Sequence, residues 1–179
     1  LRQPLEERVV RICRAAGTLE FPADFLVVAC ANSCPCGRAE HLCTCNDVQR
    51  NRYARRLSAP FLDRFDLRVR VDTVGTAETE SSATVAARVA AAVERQRARL
   101  RGTRWRRNAH IPAGALDRLT PLAGDAHATW VDVCRVRALT GRGAARVRRV
   151  ARTIADLADR PEITAADVDQ ASWMREELW

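Results

Sequence analysis

Apolar residues follow two rhythms along this chain. Up to about residue 75 they come in short extended runs, and beyond it they recur every three or four positions. Val9-Val10-Arg11-Ile12-Cys13-Arg14, then Ala15-Ala16-Gly17-Thr18, then Leu19-Glu20-Phe21 predicts a β-hairpin with glycine at the turn, ended by Pro22. Residues 25–31, Phe25-Leu26-Val27-Val28-Ala29-Cys30-Ala31, are apolar throughout. An unbroken run of that length predicts a central strand of a parallel sheet, covered on both faces. Leu67, Val69 and Val71 alternate with Arg68 and Arg70, the period-two pattern of a further strand. Residues 1–7 look like the tail of a helix. The polar, arginine-rich stretch 46–57 predicts another, and 58–65 a short turn or helix.

Residues 72–82 are small and polar, which predicts a linker. After it, Val85, Val89, Val93 and Leu100 recur at helical spacing, Pro112 can open a short helix, and Ala126, Trp130, Val133 and Cys134 mark the next. Val147, Val150, Ala151, Ile154, Leu157 and Ala158 form a clean amphipathic stripe. Thr164 followed three residues later by Asp167 resembles a helix start, with Ile163 and Val168 placed as a hydrophobic staple. There is no internal repeat. The expected architecture is an α/β segment over 1–75 followed by an all-helical domain over 76–179.

A chain of 179 residues that is 47% hydrophobic can bury a real core. No apolar run reaches the roughly 18–20 residues of a membrane helix, so no membrane partner is expected. A basic-then-apolar leader is also missing, and the expected compartment is the cytoplasm. There, clustered cysteines read as metal ligands rather than disulfides. The net charge of +8 comes with no lysine: all 30 basic residues are arginine. Coding bias is the plain explanation, yet each guanidinium is still a planar fork suited to phosphate.

Cys34-Pro35-Cys36-Gly37 and Cys43-Thr44-Cys45 place four thiols within twelve residues. Paired thiolates at that spacing read as a tetrahedral zinc site, with His41 a possible substitute for one cysteine and reactive or buried thiols the competing reading. Cys13, Cys30 and Cys134 are expected in the core. Asn32 ends the apolar run at 25–31, where a polar residue serves either an active site or a simple turn cap. Two arginine clusters, 50–56 and 95–107, stand out. In the second, Trp105 between Arg104 and Arg106 suits base stacking with guanidiniums on phosphate. A solvated helix face is the alternative.

Several of these stretches together resemble one family. Leu1-Arg-Gln-Pro-Leu-Glu6, Phe21-Pro-Ala-Asp-Phe25, Ala31-Asn-Ser-Cys-Pro-Cys-Gly37, Arg56-Leu-Ser-Ala-Pro-Phe-Leu-Asp-Arg-Phe-Asp-Leu67 and Val150-Ala-Arg-Thr-Ile-Ala-Asp-Leu157 look like the magnesium-chelatase-like AAA+ ATPases, and within them the ComM/YifB-type branch. The likeness runs from Leu1 to about Arg160 and is weak over 72–140. It implies an α/β remnant of a AAA+ P-loop NTPase core carrying a cysteine-rich zinc loop, followed by an all-helical lid domain. It also implies ATP, Mg²⁺ and Zn²⁺ as cofactors, a homo-hexamer, and DNA as partner. The parent would be an ATP-driven motor on branched or single-stranded DNA during recombination of incoming DNA.

The resemblance assigns roles residue by residue. Asn32 matches the sensor that orients water against the γ-phosphate. Arg64 matches the arginine finger that reaches a neighbouring subunit's ATP, with Arg56 as fallback; the bland alternative is a surface arginine paired with Asp63 or Asp66, worth at most about 1 kcal/mol. Arg142 falls where a second sensor opens a lid helix, with Arg146 and Arg152 as alternatives and plain helix-start solvation as the bland one. The hairpin matches one that faces a ring pore, where Arg11 and Arg14 would track a DNA backbone, unless it is a plain sheet-edge hairpin.

The departures matter as much. The Gly-rich phosphate loop ending in Gly-Lys-Ser/Thr and the Asp-Glu pair that holds Mg²⁺ are not in the sequence. Both are expected upstream of Leu1, and without them this chain alone is expected neither to bind ATP well nor to hydrolyse it. Ser33 stands where proline is common in the family, and 169–179 depart from the usual ending. Two rival readings stand beside the main one: a non-enzymatic, zinc-containing nucleic-acid-binding remnant, and the ATPase subunit of a true magnesium chelatase, which the cysteine insertion disfavours.

Overall fold

A computed structural model describes residues 2–38, 40–71 and 80–175. Most of the linker expected over 72–82 lies outside them. The chain forms two compact units that divide between Phe65 and Asp66, ahead of the composition shift near 75. The second unit claims 66–71 by backbone bonds. The Arg68 N–H donates to the Met174 carbonyl at 2.7 Å, its Nη2 donates to the Arg175 carbonyl at 2.6 Å, and Arg146 pairs with Asp66 at 3.7 Å.

The first unit opens with α1 (Arg2–Glu7), β1 (Val9–Arg14) and β2 (Gly17–Pro22). The expected hairpin forms, antiparallel, in register from Val9↔Pro22 to Arg14↔Gly17. The pleat puts Val10 and Ile12 on one face with Phe21 and Leu19, and Arg11 opposite Glu20 on the other. Downstream, α2 (Asp47–Ala54) starts at a capping box: Asn46 Oδ1 accepts from the Gln49 N–H at 2.9 Å, and Gln49 Oε1 from the Asn46 N–H at 3.0 Å. A single turn, α3 (Ala59–Leu62), follows, with Pro60 where its missing N–H costs nothing.

Two strand expectations fail. Residues 25–31 form no regular element and pair with no strand, and the only sheet among the described residues is the hairpin. Leu26 and Val28 are 86% and 87% exposed. A strand covered on both faces needs neighbours on both sides, and none of the described residues provides them. Residues 66–71 likewise make a single parallel bridge, Arg68↔Arg175, with Leu67, Val69 and Val71 exposed. Cys13 and Cys30, expected in the core, are exposed on these thin elements, while Cys134 is half-buried.

The second unit is helical, as expected. It comprises α4 (Ser82–Arg99), the short α5 (Leu116–Leu119), α6 (Ala126–Val136), α7 (Gly141–Leu157) and α8 (Ala165–Trp173). Pro112 starts a 3₁₀ turn, Ala113–Ala115, that leads into α5. The α7 stripe forms the floor of one core, where Val147, Ala151 and Ala155 meet Ile163, Val168 and Ala171, with Trp130 and Val133 packed on top. A second core gathers Leu100, Ile111, Leu116, Leu119 and Ala145. On α4, by contrast, Val85 and Val89 stay exposed and Ala92 is the buried residue. At the start of α8, Asp167 reaches back to the Thr164 N–H at 2.9 Å, and both staple residues are fully buried.

Buried charge ties these helices together. Asp156, 2% exposed, accepts from Arg99 Nη2 at 2.7 Å, Arg152 Nη2 at 3.1 Å and Asn108 Nδ2 at 2.9 Å. Arg152 is completely buried and also donates to the Arg160 and Pro161 carbonyls. Burial pulls its pKa down, and the Asp156 carboxylate opposes that shift. Arg148 is nearly as buried, donating to the Thr120 carbonyl and lying over the Trp130 ring at 5.4 Å. Asp156→Ala would take the carboxylate from the buried Arg152 and the half-buried Arg99, so we expect it to destabilise the helical unit by about 3–5 kcal/mol. Thermal unfolding followed by circular dichroism checks this; an unchanged midpoint would show the network to be dispensable.

Candidate functional site

The four cysteines of the paired motif converge in the first unit. Cys34 Sγ lies 3.1 Å from Cys36 Sγ and 3.4 Å from Cys43 Sγ, and Cys36 Sγ lies 3.8 Å from Cys43 Sγ. Cys45 completes the group, with all four sulfurs within 4.8 Å of one another. Thiolates around a tetrahedral zinc at about 2.3 Å sit roughly 3.8 Å apart, so this set fits a metal of that size. His41, on the 3₁₀ turn Glu40–Leu42, is not part of the group.

Local sequence builds the cluster. Gly37 closes the first turn by donating its N–H to the Cys34 carbonyl at 3.2 Å, and it takes a φ of +68°, which only glycine adopts freely. The capped start of α2 follows directly on Cys45, and Arg50 Nε anchors the Cys45 carbonyl at 3.2 Å. The thiols differ in acidity. The Arg38 N–H, followed by the Cys34 thiol, lowers Cys36 to about 6, while burial raises Cys45 to about 11. Cys34 is raised, mainly by hydrogen bonding with Cys36. Of these three, Cys36 is the readiest to ligate as a thiolate.

The candidate nucleotide residues are spread over both units. Asn32 is exposed two residues before Cys34. Arg64 is only 14% exposed; its Nη2 pairs with Glu6 Oε1 at 2.9 Å, and its Nη1 donates to the Pro60 carbonyl. That partner is neither Asp63 nor Asp66, and its distance along the chain hides it from a sequence reading. Arg142 is exposed on the first turn of α7, behind the N-cap Thr140 that accepts from the Gly143 N–H at 3.1 Å. Of its alternatives, Arg152 is fully buried in the Asp156 network and unavailable to a ligand, and Arg146 is mostly covered beside Asp66.

The candidate nucleic-acid residues divide similarly. Arg11 is engaged by Glu7 and, at 2.8 Å, by Glu20, while Arg14 is exposed near the hairpin turn. The loop after α4 presents Arg101, Arg104, Arg106 and Arg107 to solvent. Trp105 between them is half-buried against the second core, with the Arg104 guanidinium over its ring at 5.5 Å. The indole therefore serves first as the anchor of this loop, and Thr103 helps by bonding the Leu100 carbonyl and the Trp105 N–H.

A short α/β unit holding a four-cysteine centre, joined to a helical unit, matches known proteins along most of its length. Residues 1–79 match the magnesium chelatase subunit ChlI family, and residues 79–175 match the ChlI C-terminal family. An uncharacterized protein of Mycobacterium tuberculosis is 36% identical over 178 residues, covering 96% of this chain and 35% of that protein. YifB of Escherichia coli is 33% identical over 180 residues, covering 96% and 35%. Competence protein ComM of Haemophilus influenzae is 35% identical over 173 residues, covering 91% and 33%. The chain therefore belongs to the magnesium chelatase ChlI family, in the company of YifB and ComM, and spans about a third of the length of these curated relatives. No helix among the described residues is long and apolar enough to cross a membrane.

Proposed function

We propose that this chain is the C-terminal part of a magnesium-chelatase-like AAA+ ATPase whose parent is a hexameric, ATP-driven DNA motor acting in recombination. The observation that carries the reading is the match to both halves of the family, together with a relative named for competence. In this reading the parent's phosphate loop and acidic pair hold ATP and Mg²⁺. Asn32 orients the attacking water, Arg64 completes the site of the adjacent subunit, and Arg142 closes over nucleotide from the helical unit. Zinc in the four-cysteine centre is structural: with every position filled by sulfur it offers no open site for catalysis. The exposed arginines around Trp105, held by a loop packed on the second core, supply a rigid cationic edge for the DNA backbone, with Arg14 of the hairpin as a second contact.

The test uses the parent. Its ATPase rate should rise when single-stranded or branched DNA is added, and it should not support magnesium insertion into a porphyrin. The reverse pattern would make it a chelatase subunit. The 179-residue chain alone should show no ATP hydrolysis above background, because it contains no Gly-Lys-Ser/Thr loop. Turnover by the purified chain that Asn32→Ala abolishes would mean the active site is elsewhere than proposed.

A further inference from the structure

The turn that carries two of the four thiols also carries the seat of Asn32. Gly37 has no Cβ, and one built there would approach Asn32 Nδ2 to 3.1 Å and Asn32 Cγ to 3.6 Å. The Asn32 carboxamide thus lies against the bare Cα of Gly37, at the left-handed residue that closes the Cys34–Gly37 turn. Around it the chain is open: Asn32, Ser33, Pro35 and Gly37 are exposed, and Cys34 is the buried residue, at 4%. Closing that turn is the 3.2 Å bond from Gly37 to Cys34. The net gain from one such bond does not offset the entropy of fixing several residues in an exposed loop. Metal ligation by Cys34 and Cys36 does, because it fixes both ends of the same turn against Cys43 and Cys45.

We propose that the four-cysteine centre is the positioning device for Asn32. Filling it with zinc sets the Cys34–Gly37 turn, and the turn in turn seats the Asn32 carboxamide on Gly37. This inference rests on the reading of the four cysteines as a zinc site. It gives the metal a task beyond holding a small loop together: it fixes the direction of an amide whose residue lies two positions before Cys34. Asn32 is then a residue whose orientation depends on the metal, while the metal does not depend on Asn32.

The experiment uses the reduced 179-residue chain, isotope-labelled, with Zn²⁺ as the probe and metal content measured on the same samples. The zinc-loaded chain should bind about one equivalent and show a nuclear Overhauser contact between the Asn32 side-chain NH₂ and the Gly37 Hα. Chelation should abolish that contact and drop backbone order parameters over 32–37 from about 0.85 to below about 0.6. Gly37→Ala should keep its zinc and weaken the contact, because its Cβ pushes the Asn32 carboxamide away by a few tenths of an ångström. Gly37→Asn, which tolerates left-handed φ, repeats the test if alanine does not load. Asn32→Ala should bind zinc as the native chain does.

A contact that survives chelation would mean the turn seats Asn32 unaided and would overturn the proposal. So would a zinc-loaded chain without the contact, or zinc-loaded Gly37 variants that show it at native strength. Zinc lost from both Gly37 variants would make Gly37 part of the metal site's own geometry and overturn its assignment as the seat. Failure to bind zinc at all would remove the metal reading and this inference with it, whereas bound zinc without the contact removes this inference alone.

Discussion

In the hexameric parent proposed above, Arg64→Ala should cut ATP hydrolysis by roughly 10³–10⁵-fold while leaving ATP binding largely intact. A finger supplied by the neighbouring subunit meets charge that develops in the transition state, so its loss acts on turnover and little on affinity. Arg142→Ala should behave differently and weaken nucleotide binding as well, because in the proposed reading it contacts ATP in its own subunit. The Glu6 pairing matters for design, since Arg64 is mostly covered and its removal takes away an ion pair at 2.9 Å. Thermal unfolding of the variant therefore accompanies the kinetics. Mixing Arg64→Ala subunits with subunits lacking the phosphate-loop lysine should restore part of the activity, since intact interfaces reform. Hydrolysis at the normal rate would reduce Arg64 to a partner of Glu6 and send the search to Arg56.

Metal removal should have the second large effect. Purified under reducing, chelator-free conditions, the chain should carry about one zinc, and Cys34→Ser with Cys36→Ser should abolish it. Structural zinc sites contribute about 10–16 kcal/mol of apparent binding energy in zinc-finger peptides, so the segment between Asn32 and α2 should lose its order when the metal leaves. Acid should have the same outcome. The ligands bind as thiolates, so protons compete, and zinc should be held above neutrality and released as pH falls through the acid range. Metal analysis across a pH series reads this directly. Protein devoid of metal after such a purification would sink the zinc assignment.

What the sequence made legible was local. The hairpin was readable because alternation and a glycine turn lie within fourteen consecutive residues. The cysteine centre was readable because its ligands lie within twelve. The α7 stripe announced its own core through Val147, Val150, Ala151 and Ile154, although Leu157 and Ala158, read as part of it, stay exposed. Strands at 25–31 and 66–71 were misread because the pattern says what a segment wants to pack against, not whether those neighbours are present. The buried arginines were missed because arginine is normally a surface residue. A signal existed: Arg148, Arg152 and Asp156 recur every four residues, one step along from Val147, Ala151 and Ala155. Their shared spacing put them beside the core-facing row rather than opposite it. The Arg64–Glu6 and Arg99–Asp156 pairs, 58 and 57 residues apart in sequence, carried no such signal.

The unpaired run at 25–31 has a consequence for the chain in concentrated solution. Seven consecutive residues without charge or proline, rich in β-branched and aromatic side chains, have the composition of segments that stack into cross-β fibrils. Here the backbone is bound in no sheet and Leu26 and Val28 stand in water, so one molecule can pair with another along it. Self-association should accordingly be steep in concentration and begin at this segment. A single charge at Leu26 would act as a gatekeeper against it, and because no ladder involves that position, the folded units would be left as they are.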